Sequence, residues 1–325
     1  MNRLLKACVL SLTLVLGMGG SADAEPRVLR ITGSMAEQSL DAVLLKNVFA
    51  KTLEDSGRWK VECYFNSGLG NSSTCVEGLM LGIVQIFMDS VGNMSQFAPD
   101  LGVLDTPYVV DLKNYDRLRT SSVWQTLLDS GSRSGLKFIG ILPNITRNMI
   151  SRVPLKTADD FLGKKNRCTT SSMHIKMNAS LGLKPTPMPT SEVLTGLQQG
   201  VIDSMDGSLF SMLDYRWVDV AKYITLTSHS VIFEPVAVSR DWWDELPQED
   251  QELIITAYDN YEEVYLKSYE AAVQKSIATM QDMGCDVFVL PDEEIAKLKL
   301  RAASIINELS PRERELYQQF RVVQN

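Results

Sequence analysis

Two rhythms of apolar residues take turns along this chain. Arg27–Thr32 (RVLRIT) has the alternation of a strand. Leu40, Val43, Leu44 and Val48 recur at helical spacing behind Ser39, a cap residue, and Gly57 ends the run. Trp59–Phe65 (WKVECYF) alternates again, and the turn residues from Asn66 to Gly70 follow. Val76, Leu79 and Met80 predict a helix up to Gly82, and Ile83–Met88 (IVQIFM) reads as a buried strand. This alternation predicts an α/β sheet, parallel or mixed, with ligands beyond the carboxyl ends of its strands. Ser34 and Asp89 stand at two such ends.

Further along, Leu112–Ser130 predicts a helix with Leu118, Val123, Trp124, Leu127 and Leu128 inside, and Lys137–Leu142 a strand. The chain is expected to cross into a second domain near Pro143–Asn144. There follow a helical turn at Ala158–Leu162, a strand ending at Arg167, helices from Ser172 and Ser191, and a strand Ile202–Met205 with Asp206 and Gly207 at its end. Lys222–Phe233 is extended and is expected to return to the first domain near Glu234, where Val236–Ser239 rejoins its sheet. The expected division is 25–143 with 234–272, and 144–233 with 273–325.

Pro247–Met283 is the longest helical pattern, with Pro near its start and Gly284 just past its end. Leu253, Ala257, Tyr261, Val264, Tyr265, Ala272, Val273, Ile277 and Met280 form its apolar stripe. At 1.5 Å per residue it extends about 55 Å, long enough to span both domains. Cys285–Leu290 is a last strand, and helices finish the chain between Ile295 and Phe320.

The chain has 325 residues and a net charge of −8, with no long basic run, so nucleic acid is not an expected partner. An acidic protein that takes up an anion must do so with local cations. Residues 1–24 have the form of a leader: Arg3 and Lys6, an apolar run from Ala7 to Leu16, and Ala22-Asp23-Ala24 as the cleavage signal after Ala24. Export to the periplasm is the expectation. Cys63, Cys75, Cys168 and Cys285 remain, with no C-x-x-C and no defined pairing.

Catalytic patterns are missing from the sequence. His174 and His229 belong to no metal motif. Gly131-Ser132-Arg133-Ser134-Gly135 has arginine where a nucleophile elbow needs serine. Gly68-Leu69-Gly70 lacks the third glycine of a dinucleotide fingerprint. No enzyme, cofactor or metal is expected. Arg147 and Arg167 each adjoin a strand run, where a planar guanidinium can present two parallel donors to a carboxylate.

The segments TRNMISRVPLKTADDFLGKKNR, LGLKPTPMP and SEVLTGLQQGVIDSMD, in that order, resemble the DctP-like solute receptors of tripartite ATP-independent periplasmic (TRAP) transporters. YFNSGLG, VEGLMLGIVQI, TPYVV, ITLTSH and WWDELPQEDQELI extend the likeness over nearly all of the chain after residue 24. The resemblance implies a two-domain periplasmic binding protein fold, a ligand cleft between the lobes and a long helix beside it. It implies a receptor for a small organic acid that closes by hinge motion and delivers its ligand to TRAP membrane subunits. It gives the carboxylate-binding role to Arg167, with Arg147 as second contact, and places Asp89, Asp206 and Ser34 at the pocket. Thr190 and Gly207 depart from the family pattern, which commonly has an aromatic residue and an asparagine there; Asp206 stands for a glutamate. A sensory module that hands its ligand to a membrane receptor would share this pattern, and an exported enzyme would need a catalytic cluster.

Overall fold

The computed structural model describes residues 25–324; the leader expected at residues 1–24 lies outside the described residues. Strand β1 (Arg27–Gly33) pairs in parallel with β2 (Trp59–Tyr64) and β3 (Ile86–Met88). Between β1 and β2 runs a helix, α1, assembled from Leu40–Leu44, a π-helical stretch Leu45–Ala50, and Lys51–Asp55. The π stretch shifts the helical phase. The buried stripe is therefore Asp41, Ala42, Leu45, Phe49 and Leu53, and Val43, expected inside, is exposed. Ser39 precedes α1 without capping it; its hydroxyl donates to the Ala36 carbonyl instead, at 2.6 Å. Helix α2 (Ser72–Met80) is capped by Asn71, which accepts from the Thr74 N–H.

The helix expected over Leu112–Ser130 is broken into α3 (Tyr115–Arg119) and α4 (Ser122–Leu128), because Ser121 caps a new start by accepting from Trp124 N–H. Leu118, Val123, Trp124 and Leu127 are buried as expected.

Two long antiparallel strands join the lobes. β4 (Leu136–Ser151) runs through the crossing expected at Pro143–Asn144 without interruption. Its second half leads to β5 (Lys165–Cys168), α5 (Ser172–Ser180), β6 (Lys184–Pro187), α6 (Val193–Gln199), β7 (Ser204–Gly207) and α7 (Leu209–Asp214). β8 (Tyr223–Ser239) then returns along the whole of β4, also as one strand. The prolines lie near irregular pairing: the register shifts between Pro143 and Ile145. Bulges are among the few places where a strand tolerates a residue without N–H. The order in the nine-stranded sheet is β2-β1-β3-β8-β4-β7-β5-β6, with β9 (Asp286–Val289) alongside β8.

Adjacent strand residues point to opposite faces, and the cores follow that rule. Ile86 and Met88 pack with Leu29, Ile31 and Phe49, whereas Phe87 packs on the other face with Leu118, Trp124 and Phe138. In the second lobe Ile150 packs with Leu197, Met205 and Trp217, while its neighbour Met149 packs with Phe161, Met177 and Leu298.

Helix α8 (Gln248–Asp282) is the long helix expected, and it ties the lobes together. Ile254, Ala257, Tyr258, Tyr261 and Tyr265 enter the core around Leu29 and Phe49, and Met280 enters the core around Met205 and Trp217. The stripe carries two buried acids that apolar periodicity does not show. Glu262 accepts from the Tyr115 and Tyr258 hydroxyls and from Arg119, each at 2.7 Å. Asp250 pairs with Arg27 and Arg58. After β9 come α9 (Asp292–Ala302) and α10 (Pro311–Gln324), whose Leu316 and Phe320 pack in the core of Leu118 and Trp124. The four cysteines among the described residues, Cys63, Cys75, Cys168 and Cys285, are free. Among the described residues no helix is long and apolar enough to cross a membrane.

Candidate functional site

Ser34, Asp89, Arg147, Arg167, Thr190, Asp206 and Gly207, brought together from six segments of the chain, all line one cavity of about 140 Å³ between the lobes. Ser34, Asp89, Arg167 and Thr190 also line a larger outer cleft of about 620 Å³. The reason is topological. β1, β3, β5 and β7 end on the cleft side, and β4 crosses behind it.

Arg167 lies near the end of β5 and is 6% exposed. Its Nε donates to the Met188 carbonyl at 3.0 Å, and one Nη2 hydrogen to Thr190 Oγ1 at 3.0 Å. No acid of the described residues forms an ion pair with it, and its Nη1 has no protein acceptor among them. Burial pushes its pKa down, opposed by the charge of Asp206. An arginine nevertheless keeps its proton. The result is a buried cation without a counter-charge, a costly arrangement unless an anion arrives.

Arg147 differs. Its Nη1 donates to Asp206 Oδ2 at 3.3 Å, and its Nη2 stands 3.5 Å from Asp105 Oδ1. Two buried carboxylates thus hold it from within the protein.

Asp206 is the hub behind the cavity. Asn166 Nδ2 donates to its Oδ1 at 3.1 Å, and His174 Nε2 lies 3.0 Å from its Oδ2. The Thr169 N–H donates to His174 Nδ1, so the ring proton sits on Nε2 and is donated to Asp206. His229 Nε2 stands 3.6 Å away. Burial by itself would raise the Asp206 carboxyl, but His174, His229 and Arg147 hold it well below the usual range. Both rings are engaged by protein groups, His174 by Thr169 and Asp206, His229 by Thr227 and Asp206.

His229 reaches this place through a wide bulge in β8. The pairing passes from Arg147↔Ser230 to Met149↔Thr225. Asn148 Oδ1 closes the extra loop by accepting from Thr227 and Ser228 N–H, each at 3.0 Å.

On the first lobe, Asp89 accepts from Ser34 Oγ at 2.9 Å, Ser72 Oγ at 2.6 Å, Ser90 N–H at 2.7 Å and Asn93 Nδ2 at 3.0 Å. Thr190 supplies the acceptor that fixes the Arg167 plane. Gly207 gives close approach: a Cβ there would stand 3.1 Å from Met205 Cε.

Sequence reasoning missed Asp41, Asp214, Glu234, Asn144, Phe210 and Tyr215, which line the same cavity. Asn144 Nδ2 donates to Asp41 at 3.2 Å, and Tyr265 Oη donates to Asn144 Oδ1 at 2.7 Å, joining α1, β4 and α8. No sequence signal marked Asp41, because the stripe read from Leu40, Val43, Leu44 and Val48 leaves it out.

The fold and cleft have the architecture of a solute-binding protein. The chain belongs to the family of bacterial extracellular solute-binding proteins, family 7 (DctP), whose model matches residues 34–312. It is 31% identical over 240 residues to a solute-binding protein of Verminephrobacter eiseniae, covering 72% of this chain and 71% of the relative. It is 31% identical over 257 residues to the C4-dicarboxylate-binding periplasmic protein DctP of Rhodobacter capsulatus, covering 76% and 75%. The sugar acid binding protein DctPAm of Advenella mimigardefordensis, solved with galactonate, superposes with a TM-score of 0.85 at 23% identity, covering 92% of this chain and 98% of that one. Family members are binding proteins rather than enzymes.

Proposed function

We propose that this chain is the periplasmic receptor of a TRAP transporter, that it captures a small carboxylate-bearing solute, and that Arg167 is the anchor. The observation carrying this reading is the buried Arg167 guanidinium, which lines the cavity with no ion-pair partner among the described residues. A carboxylate there would accept from the unused N–H groups and supply the missing charge, at about 1.5–3 kcal/mol per charged hydrogen bond. Arg147, whose charge Asp105 and Asp206 already answer, stands as the second contact; Ser34 and Asp89 meet the ligand from the first lobe. The names of the Rhodobacter and Advenella relatives, a dicarboxylate and a sugar acid binder, support the class of ligand.

A ligand held by Arg167 from one lobe and by Ser34 and Asp89 from the other favours the closed cleft. Closure is then a hinge motion driven by contacts made only when the lobes meet. The strands β4 and β8 are the connections that bend. The closed form hands its solute to the membrane subunits of the transporter.

The test is a thermal-shift screen of organic acids followed by titration calorimetry. Ligand that binds the native state raises the melting temperature. Hits are expected among carboxylates, and Arg167→Met should abolish the shift with the fold intact by circular dichroism. Undiminished binding by that variant would overturn the role of Arg167.

A further inference from the structure

The charge lining the cavity does not suit a ligand that is only an anion. Five carboxylates face it, Asp41, Asp89, Asp206, Asp214 and Glu234, against two guanidiniums. Two of the five are answered where they stand: Asp89 by four donors, Asp206 by His174, Asn166 and Arg147. That leaves Asp41, Asp214 and Glu234. Asp41 receives three neutral donors, from Ser39, Ala42 N–H and Asn144, one fewer than Asp89. Glu234 is 9% exposed and lines the cavity, and its buried Oε2 has no hydrogen-bond partner. Among the described residues no lysine lines the cavity, and Arg147 is engaged by Asp105 and Asp206.

We infer that the solute carries a positively charged nitrogen as well as its carboxylate, and that Glu234 and Asp41, with Asp214 beside them, form the subsite for that nitrogen. The inference rests on the reading of Arg167 as the carboxylate anchor. An ammonium group offers several donors and one charge, which suits an orphaned carboxylate oxygen and two neighbouring acids. Aromatic faces line the same cavity. Tyr215 and Trp217, stacked with centroids 5.1 Å apart, line the cavity together with Phe210. Aromatic faces attract cations through their quadrupole. Burial favours the protonated form of all three acids: it raises Glu234 well above its ordinary value, raises Asp41, and pushes Asp214 up to about 6. An arriving cation displaces those protons.

The experiment is a thermal-shift screen of two matched sets on the full chain with its leader removed. One set holds ω-amino acids from 4-aminobutyrate upward, α-amino acids and betaines. The other holds hydroxy acids and dicarboxylates of the same lengths, with galactonate. The best probe of each set is then titrated calorimetrically into wild type, Glu234→Gln, Asp214→Asn and Arg167→Lys. The expected result is at least tenfold tighter binding of the best nitrogen-bearing probe, with proton release seen as buffer-dependent heat. Glu234→Gln should weaken that probe at least tenfold and leave the best hydroxy acid within twofold. Asp214→Asn, at a more open site, gives the same selectivity if Glu234→Gln fails to fold. Arg167→Lys should weaken both sets. Tightest binding by an acid without nitrogen, or equal losses for both sets in the Glu234 and Asp214 variants, overturns the inference and leaves the Arg167 reading standing. No stabilisation by either set overturns both.

Discussion

Thr190 Oγ1 lies 3.0 Å from Nη2 of Arg167 and fixes the plane of a guanidinium whose Nε is held by the Met188 carbonyl. Side-chain rotation is thereby removed before any ligand arrives. Pre-organisation of this kind lowers the cost of binding. Arg167→Lys keeps the charge and loses the planar fork, so the dissociation constant should rise tenfold or more, about 1.4 kcal/mol. Thr190→Val should weaken binding about three- to tenfold, the worth of one hydrogen bond. Calorimetry with the best carboxylate from the screen reads both; an unchanged constant in Arg167→Lys contradicts the two-point contact.

Asp206 is a stability residue as much as a site residue. Asp206→Ala strands the donors of Asn166, His174 and Arg147 in a buried place, and the expected loss is about 3–5 kcal/mol in urea unfolding. The acid limb carries a second signature. The folded-state pKa of Asp206 is depressed, so its contribution is present above the usual carboxylate range and disappears as pH falls through the folded value. Asp206→Asn should therefore flatten the loss of stability below about pH 4. An unaltered acid limb would show that Asp206 does not carry it.

The second lobe's half of the site was legible because its polar residues stand where strands stop. Arg167 and Asp206 follow short apolar or turn-bounded runs and fall inside the segments that resemble the receptor family. The acids of the other wall were not legible. Glu234 lies in a strand that looked like two pieces, an extended run to Phe233 and a second run from Val236 to Ser239. The continuity of β4 and β8 comes from their mutual pairing, Pro143↔Phe233 and Ile141↔Pro235, with register shifts that absorb the prolines. Asp41 was hidden by the π-helical stretch after it, which rotates the buried face of α1 away from Leu40, Val43 and Leu44. Local periodicity cannot show a phase change set by packing against α8.

Tyr265 and Asn144 link the spine helix to the crossing strand. Tyr265 Oη donates to both the carbonyl, at 2.9 Å, and Oδ1, at 2.7 Å, of Asn144. Tyr265→Phe leaves those acceptors without their donor in a core position, and about 1–3 kcal/mol of stability should go with it. Asn144 also orients Asp41, so binding of the best nitrogen-bearing probe should weaken in the same variant while Arg167-dependent binding of a simple carboxylate does not. Chemical denaturation and calorimetry on one preparation separate the two effects, and equal losses for both probes would contradict the link to Asp41.

Asp214 gives the fold a pH dependence near neutrality. Burial and the charge of Asp41 push its carboxyl up to about 6, against the hydrogen bond from Gln38. The folded protein then holds a proton that the unfolded chain has already released. For an acid raised in this way stability is highest below the unfolded value of 3.8 and declines as pH climbs through about 6, after which the penalty is constant. Asp214→Asn removes the penalty without removing the side chain's shape. The variant should match wild type near pH 4 and melt at a higher temperature than wild type at pH 7.5, both without ligand. Melting curves collected across that interval decide the matter: a constant offset at every pH would mean that Asp214 does not titrate there, and a variant less stable at pH 7.5 would mean that the ionised carboxylate is favoured in the fold.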